Sequence, residues 1–430
     1  MKNFVLKGNI MFSESKTELA AYPDSFLVCE DGVCGGVFEE LPDQYKDFPL
    51  FDYGSKIIVP GLVDMHIHAP QFSYRGTGMD LELLDWLNTQ AFPEETKYAD
   101  EEYAKEAYSI FADTLKNSAT TRGVIFATRH KEGTEILMDL LEDTGLVTYV
   151  GKVNMDQNAP DGLREESAEV SALHTVEWLE NVAGKYANTH PILTPRFIPS
   201  CTKELLEKLG EIREKYNLPV QSHLSENHAE IELVGQLIPE GDFYGHCYEL
   251  FNLFGNRPGG TCTSPTVMAH CVFSGPEEMD LMGENGVFIA HCPASNLNLA
   301  SGIAPVRIYL QHGLRVCLGS DVAGGQTESM FRAITDAIQV SKMYWKLVDQ
   351  SVKPLTFEES FYMATIGGGE FFGKVGKFEK GYEFDAVVLS DEHLPHPQQL
   401  NLRQRLERFA YLRGDVLGIK AKYVAGNKIV

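Results

Sequence analysis

The chain has 430 residues, 43% of them hydrophobic and 23% charged, which is the composition of a globular protein long enough to bury a large core. Its formal net charge of −24 repels phosphate backbones and anionic lipid, so we expect neither nucleic acid nor a membrane surface as a partner. Residues 1–7 lack the apolar stretch of a signal peptide, and charges interrupt every candidate membrane span, which predicts a cytoplasmic protein.

The two ends of the chain share one pattern. Residues 1–58 and residues 376–430 both contain short apolar runs separated by turn signals, most clearly at 24–29 and at 385–389. Runs of this length and setting are typical of short β-strands. We therefore expect the two end segments to form the two parts of one small β-sandwich beside a middle domain.

The middle segment, residues 59–375, alternates short apolar runs with helix-like stretches, a pattern that favours a parallel sheet covered by helices. Eight such parallel strands close into a barrel, so the predicted fold class is α/β with a (β/α)8 TIM barrel. The eight apolar runs lie at residues 57–68, 121–127, 147–155, 192–197, 220–223, 267–270, 287–291 and 315–321.

Side chains that can do chemistry end most of these runs. The active sites of such barrels lie at the carboxyl ends of the strands, so these side chains would meet at one mouth. Histidine or aspartate at the end of five of the eight runs is hard to explain by packing. Those five residues are His68, His223, His270, His291 and Asp321, and a sixth run contributes Arg196.

A metal site is predicted around His66 and His68. These histidines are two residues apart on a strand, so both imidazoles lie on one face and point into the barrel. His223 and Asp321 complete a set of three imidazoles and one carboxylate, which suits zinc and also Fe(II). A lone H-x-H motif more often marks surface histidines on an edge strand, but the histidines at later strand ends favour the metal.

Glu226 is the candidate for proton transfer. It follows His223 by three residues, where a carboxylate just past a metal can take a proton from water and deliver it to a substrate. His270 could hold the attacking water in line, with a hydrogen-bonded core histidine as the alternative. The protease motif H-E-x-x-H and the cytidine-deaminase signature with P-C-x-x-C are both absent, which excludes those two classes.

These motifs together resemble the amidohydrolase superfamily, in its mononuclear metal-dependent deaminase branch. Within that branch the match is closest to the guanine deaminase family. The resemblance runs from residue 60 to residue 325, and with the flanking β segments it covers nearly the whole chain. The motifs that carry it are P-G-L-V-D-M-H-I-H-A-P-Q-F, L-L-D-W-L-N-T-Q-A-F-P-E-E, T-P-R-F, Q-S-H-L-S-E-N, M-A-H-C, I-A-H-C-P-A-S-N-L-N-L and L-G-S-D-V-A-G-G.

The resemblance implies a reaction and a cofactor. A metal-activated water would deaminate guanine to xanthine and ammonia, with one zinc ion per chain, or one iron ion. Glu226 would be the proton shuttle, and His270 would orient the water. The metal ligands would be His66, His68, His223 and Asp321, with Asp321 also taking part in catalysis.

The resemblance also implies residues that recognise the base, and a homodimer. Gln71, Arg196 and Phe197 match the base-recognition positions of the family. A guanidinium fork and an amide can read the carbonyl edge of a purine while an aromatic ring packs on its face. The alternative for Arg196 is an ion pair with a carboxylate at the barrel rim that only holds the loop.

Three other functions are weighed against this one. A related deaminase or dechlorinase would keep the metal site and act on another aminated purine, pyrimidine or triazine. A binuclear hydrolase of the superfamily needs a bridging lysine at the end of strand four, but Lys152 lies within strand three. A non-catalytic scaffold would have lost ligands that this chain keeps. His291 and His130 are expected to be structural, and Trp86 either lines the pocket or packs in a helix core.

Overall fold

The computed structural model describes residues 2–256 and 260–430, and its elements form a terminal sheet and a parallel barrel. The strands are β1 Phe4–Ser15, β2 Glu18–Glu30, β3 Val33–Phe38, β4 Leu50–Pro60, β5 Leu62–His68, β6 Thr120–Phe126, β7 Val147–Gly151, β8 Val153–Asn154, β9 Thr189–Pro191, β10 Thr194–Pro195, β11 Val220–Leu224, β12 Thr266–His270, β13 Phe288–His291, β14 Arg315–Leu318, β15 Ala386–Leu389, β16 Ile419–Val424 and β17 Asn427–Lys428. The helices are α1 Leu83–Trp86, α2 Phe92–Thr96, α3 Glu101–Asn117, α4 Lys131–Thr144, α5 Ala168–Val182, α6 Lys203–Tyr216, α7 His228–Leu237, α8 Tyr244–Leu250, α9 Pro276–Asn285, α10 Pro293–Asn298, α11 Val306–Gln311, α12 Met330–Leu347, α13 Phe357–Tyr362, α14 Leu402–Tyr411 and α15 Asp415–Gly418.

The terminal sheet joins both ends of the chain, as the sequence predicts. Its strand order is β17-β16-β15-β4-β1-β2-β3, so β15 from the C-terminal segment pairs antiparallel with β4 from the N-terminal segment. The strand β1, which lies between β4 and β2, is absent from the sequence prediction. Its residues are buried almost without alternation and a register shift falls between Gly8 and Ile10, so the period of two is lost. The domain boundaries at residues 58 and 375 stay predictions.

The barrel contains all eight predicted strands. Parallel ladders run through β5-β6-β7-β9 and through β11-β12-β13-β14, with β8 paired to β10 between them. The segment after β14 closes the ring on β5. There the Asp321 N–H donates to the His66 carbonyl at 2.8 Å, and the His68 N–H donates to the Val322 carbonyl at 3.0 Å. The predicted (β/α)8 fold is confirmed.

The barrel strands are buried on both faces, which is why they read as apolar runs and not as alternating ones. Every residue of β5 is buried, and so is every residue of β6. The helices between them end at residues suited to a left-handed turn, such as Gly145 after α4 (φ 77°) and Asn217 after α6 (φ 50°). Among the residues that the structure describes, no helix has the length and apolarity to cross a bilayer.

Candidate active site

Four side chains from three strand ends converge at the carboxyl end of the barrel. His68 Nε2 lies 3.1 Å from His223 Nε2 and 3.5 Å from Asp321 Oδ1, and His66 Nε2 lies 3.2 Å from the same carboxylate oxygen. His66, His68 and Asp321 together form a cluster able to hold a metal ion, and His66 and His223 form another with His270. The structure therefore brings together the whole metal set predicted from the sequence.

The donor atoms of this cluster fit a metal ion. His66 Nε2 is buried without a hydrogen-bond partner, which is costly unless a metal ion accepts its lone pair. His223 Nδ1 donates to the Arg196 carbonyl at 2.6 Å, so its Nε2 lone pair faces the cluster, the arrangement usual behind a metal-bound histidine. Burial lowers the pKa of His66 and, reinforced by the neighbouring imidazoles, holds the pKa values of His68 and His223 well below their ordinary value. Neutral imidazoles are the form that binds metal.

The backbone around the cluster is held in unusual conformations. Asp321 has φ 46° and His270 has φ 72°, both in the left-handed region that non-glycine residues rarely adopt. Gly319 lies so close to β5 that a Cβ there would meet the His66 Cβ at 2.8 Å, so only glycine fits. Strain of this kind is tolerated where surrounding structure fixes a functional side chain.

Glu226 lies beside this cluster, hydrogen-bonded to one neighbour and close to a second. The Ser301 hydroxyl donates to Glu226 Oε1 at 2.8 Å, and His270 Nε2 lies 3.5 Å from Oε2. Burial raises the pKa of Glu226 above its ordinary value, partly countered by His270. A carboxyl group whose pKa is shifted towards neutrality can both take up and release a proton.

His270 is fixed on its other side as well. Its Nδ1 donates to Oδ1 of Asn296 at 2.9 Å, and its Nε2 lies 3.8 Å from Asp321 Oδ2. Burial alone would lower the pKa of His270, but the carboxylates of Glu226 and Asp321 raise it. The ring therefore faces the reacting groups, as expected for a residue that orients water, while its hydrogen bond also satisfies the alternative of a held core histidine.

One cavity is lined by three residues of the predicted metal cluster, all except His66, and by the predicted base-recognition residues. Trp86, buried to 2% exposure, is part of its wall. The lining comprises His68, Gln71, Leu83, Trp86, Leu87, Arg196, Phe197, His223, Glu226, Glu230, His270, Leu299 and Asp321.

Arg196 makes the ion pair that the alternative prediction describes, and it lines the cavity too. Its two terminal nitrogens lie 2.6 and 3.0 Å from the carboxylate oxygens of Glu95, and both side chains are buried. Gln71 Nε2 donates to the same carboxylate at 2.7 Å. The Arg196 guanidinium also lies 5.3 Å from the ring centroid of Phe92. Arg196 is therefore held in place by Glu95 and still lines the cavity.

The sequence prediction missed the residues that hydrogen-bond to the cavity residues and fix their side chains. Glu95, Asn296 and Ser301 contact cavity residues but end no barrel strand, and the strand-end rule cannot find them. The two histidines that the sequence predicts to be structural lie outside the cavity lining. His291 is buried at the end of β13, where burial lowers its pKa to about 3, and His130 is the N-cap residue of α4. Their expected structural roles stay predictions.

Comparison with known proteins agrees with the site. The model of the Amidohydrolase family matches residues 57–417. Guanine deaminase of Dictyostelium discoideum is 35% identical over 99% of this chain and 98% of its own length, and that of Homo sapiens is 38% identical over 87% and 83%. A crystal structure of guanine deaminase from C. acetobutylicum with bound guanine in the active site shares 46% identity and a TM-score of 0.95, with 100% of both chains covered. This chain belongs to the amidohydrolase family, among its guanine deaminases.

Proposed function

We propose that this enzyme hydrolyses guanine to xanthine and ammonia. One observation carries the proposal: a single cavity is lined both by Gln71 and Arg196, which carry hydrogen-bond donors, and by a cluster of imidazoles and carboxylates. Guanine offers a hydrogen-bond acceptor at its C6 carbonyl and carries the amino group to be removed on C2. A site that combines directional donors with proton-transfer groups is complementary to that molecule.

We propose one zinc ion per chain, held by His66, His68, His223 and Asp321, with iron as the alternative. Three imidazole nitrogens and one carboxylate are borderline ligands that suit either metal. When bound, such an ion supplies Lewis acidity that makes water a nucleophile near neutral pH. Lys152, the lysine considered for a binuclear site, is fully buried against Glu165 at 2.7 Å, which supports the mononuclear proposal.

The proposed proton transfers run through Glu226. Its carboxylate takes a proton from the attacking water and passes it to a ring nitrogen of guanine beside C2. Glu226 then takes the remaining proton from the hydroxyl group added at C2 and gives it to the departing amine. The C2–N bond breaks, ammonia leaves, and the C2 carbonyl of xanthine forms. His270 orients the water, and Ser301 holds Glu226 by donating to one carboxylate oxygen so that the other faces the reaction.

Base recognition is proposed for Gln71, Arg196 and Phe197. The guanidinium and the amide donate to the carbonyl edge of the base, and the aromatic rings of the cavity wall pack against its faces. Adenine lacks the 6-oxo acceptor, so it would leave a buried donor unpaired, and selection of this kind reaches large factors. A homodimer and a cytoplasmic location stay predictions from the sequence.

Ammonia release from guanine, adenine, cytosine and melamine, measured in parallel with elemental analysis, tests the function. We expect turnover of guanine far above that of the other three, and one zinc or iron per chain. Preference for another aminated ring would replace guanine with that substrate class. Two metal ions per chain would overturn the mononuclear site.

A further inference from the structure

We propose that Glu95 is a positioning residue that determines which base the enzyme accepts. It fixes the pattern of donors and acceptors that Arg196 and Gln71 present to the substrate. The proposal rests on the proposed function, because it assigns a role to the groups behind the base-recognition residues. Glu95 itself does not line the cavity; it acts through the two side chains that do.

One carboxylate holds both recognition side chains. Glu95 Oε2 lies 2.6 Å from Arg196 Nη1, and Oε1 accepts from Arg196 Nη2 at 3.0 Å and from Gln71 Nε2 at 2.7 Å. Glu95 is 2% exposed and Arg196 is 4% exposed, so water competes little for these contacts. Each side chain is thereby held at a set distance from the other, although they are 125 positions apart in the sequence.

The amide of Gln71 is fixed in one orientation by two independent contacts. Its Nε2 donates to Glu95, while its Oε1 accepts from the backbone N–H of Ala323 at 3.2 Å. A flipped amide would set an oxygen against the carboxylate and an NH2 group against the N–H, which loses both bonds. The remaining N–H and the remaining lone pair of this amide therefore point in defined directions.

The guanidinium of Arg196 is also fixed, and its charge is balanced. A guanidinium has five N–H donors, and the bidentate contact with Glu95 uses one from each terminal nitrogen. The positive charge of Arg196 is balanced by the negative charge of Glu95, so this pair gives the cavity no net charge that would attract an anion. What Arg196 offers a ligand is then the direction of its other N–H groups. Directional donors without net charge favour a neutral acceptor such as the 6-oxo group of a purine.

An amide at position 95 would break this arrangement with little change in shape. A carboxylate only accepts hydrogen bonds, whereas Glu95→Gln turns one acceptor into an NH2 donor that faces other donors. Either Gln71 flips or Arg196 turns away, and the guanidinium becomes an unbalanced buried charge. The expected loss falls on contacts to the carbonyl edge of the base and not on the amino-bearing carbon.

The test compares Glu95→Gln with the adjacent variant Glu94→Gln. Glu94 has the same side chain in the same helix but binds Lys97 and Tyr103 and does not line the cavity. The substrates are guanine and 2-aminopurine, which carries the same 2-amino group but lacks the 6-oxo acceptor. Melting temperature and metal content are measured on every preparation, so that kinetic constants refer to folded, loaded enzyme.

We expect Glu95→Gln to lower kcat/KM for guanine at least tenfold, chiefly through KM, and to lower that for 2-aminopurine much less. The ratio of kcat/KM for guanine to that for 2-aminopurine then falls severalfold, and Glu94→Gln keeps the wild-type ratio. An unchanged preference, with or without a parallel fall for both substrates, overturns the role of Glu95. If Glu95→Gln does not fold, Glu95→Asp is the second variant, because it keeps the charge but is too short to hold both partners. We expect its preference for guanine over 2-aminopurine to be lower than that of the wild type. A preference equal to that of the wild type would overturn the role of Glu95.

The wild-type enzyme separates this proposal from the proposed function. Wild-type enzyme that does not deaminate guanine rejects the function itself. Wild-type enzyme that prefers guanine over 2-aminopurine, with the same preference in Glu95→Gln, rejects only the role of Glu95.

Discussion

Replacing Glu226 by glutamine is the most direct test of the proton-transfer mechanism. The amide has the same shape, and the Ser301 hydroxyl, now 2.8 Å from Oε1, can donate to an amide oxygen as well as to a carboxylate. Burial already raises the pKa of Glu226, so replacing its charged form with a neutral amide removes a group that burial disfavours. We therefore expect the variant to fold and to keep its metal.

The expected loss is large because one side chain serves two transfers. General acid–base catalysis by a positioned group contributes about 10²–10⁴-fold. In the proposed mechanism Glu226 removes a proton from the water and delivers protons to the ring and to the amine, so the expected loss belongs at the upper end of this range. A factor of about 10⁴ corresponds to about 5.4 kcal/mol of transition-state stabilisation. The binding contacts of the base remain, so KM should change little.

The assay follows xanthine formation at saturating guanine, with metal content and melting temperature measured on the same protein. Glu278→Gln is the matched control, because Glu278 is equally buried but accepts from Ser225 and Gly245 and lies outside the cavity lining. It should keep kcat within a few fold. Turnover in Glu226→Gln within about tenfold of wild type, at full metal occupancy, would refute the shuttle.

Other predictions follow from the contacts of the site and its surroundings. Arg196→Ala should keep the metal, raise KM and lower kcat. Arg196→Lys should recover only part of the lost kcat/KM for guanine, since an ammonium cannot replace the planar fork of a guanidinium. Kinetic constants expressed per folded molecule check both expectations. Asn296→Ala should lower kcat for guanine by about 10–100-fold with KM nearly unchanged, because His270 loses the acceptor at Nδ1 that orients it; a normal kcat would contradict this positioning. Burial, with the nearby charges of Arg129 and Lys152, lowers the pKa of His130 to about 4 from 6.5, so in acid the unfolded chain binds a proton that the folded chain does not. The contribution of neutral His130 to the free energy of unfolding should be fully present above pH 6.5. This contribution should fall by about 1–2 kcal/mol between pH 7 and 5, with the partial exposure of the side chain taken into account. Urea unfolding of His130→Asn at both pH values should therefore show a smaller fall in the free energy of unfolding than the wild type.

The barrel and the cluster of side chains at its carboxyl end were predictable because both depend on local patterns. Strands buried on two faces produce apolar runs, and the carboxyl-end rule then selects His66, His68, His223 and Asp321 without any knowledge of distant contacts. The fourth strand position is less regular than its predicted run. It is split into β9 and β10, and the last residue of each, Pro191 and Pro195, has no N–H to donate to a ladder.

The supporting residues were not predictable because their partners are far away in the chain. Glu95 lies in α2, within a short helical segment after β5, and no periodicity connects it to residue 196. Asn296 and Ser301 lie on or just after a short helix that follows β13, where polar residues are as typical of capping and turns as of function. The left-handed backbone at His270 and Asp321 is equally hidden, because both residue types are ordinary at strand ends.

The ion pair of Arg196 changes what a stability measurement can decide. The sequence offers two interpretations of this residue, recognition of the base or an ion pair at the rim, and the pair with Glu95 inside the cavity wall satisfies both. Breaking a buried pair leaves a charge without a partner and costs stability whatever the substrate does, so a lower melting temperature in Arg196→Ala separates nothing. Substrate preference does separate the two interpretations. If Arg196 only holds the loop, Arg196→Ala lowers kcat/KM for guanine and for 2-aminopurine equally. If Arg196 donates to the 6-oxo group, the variant lowers kcat/KM for guanine alone. The ratio of kcat/KM for the two bases is therefore the quantity that decides whether Arg196 recognises the base or only holds the loop.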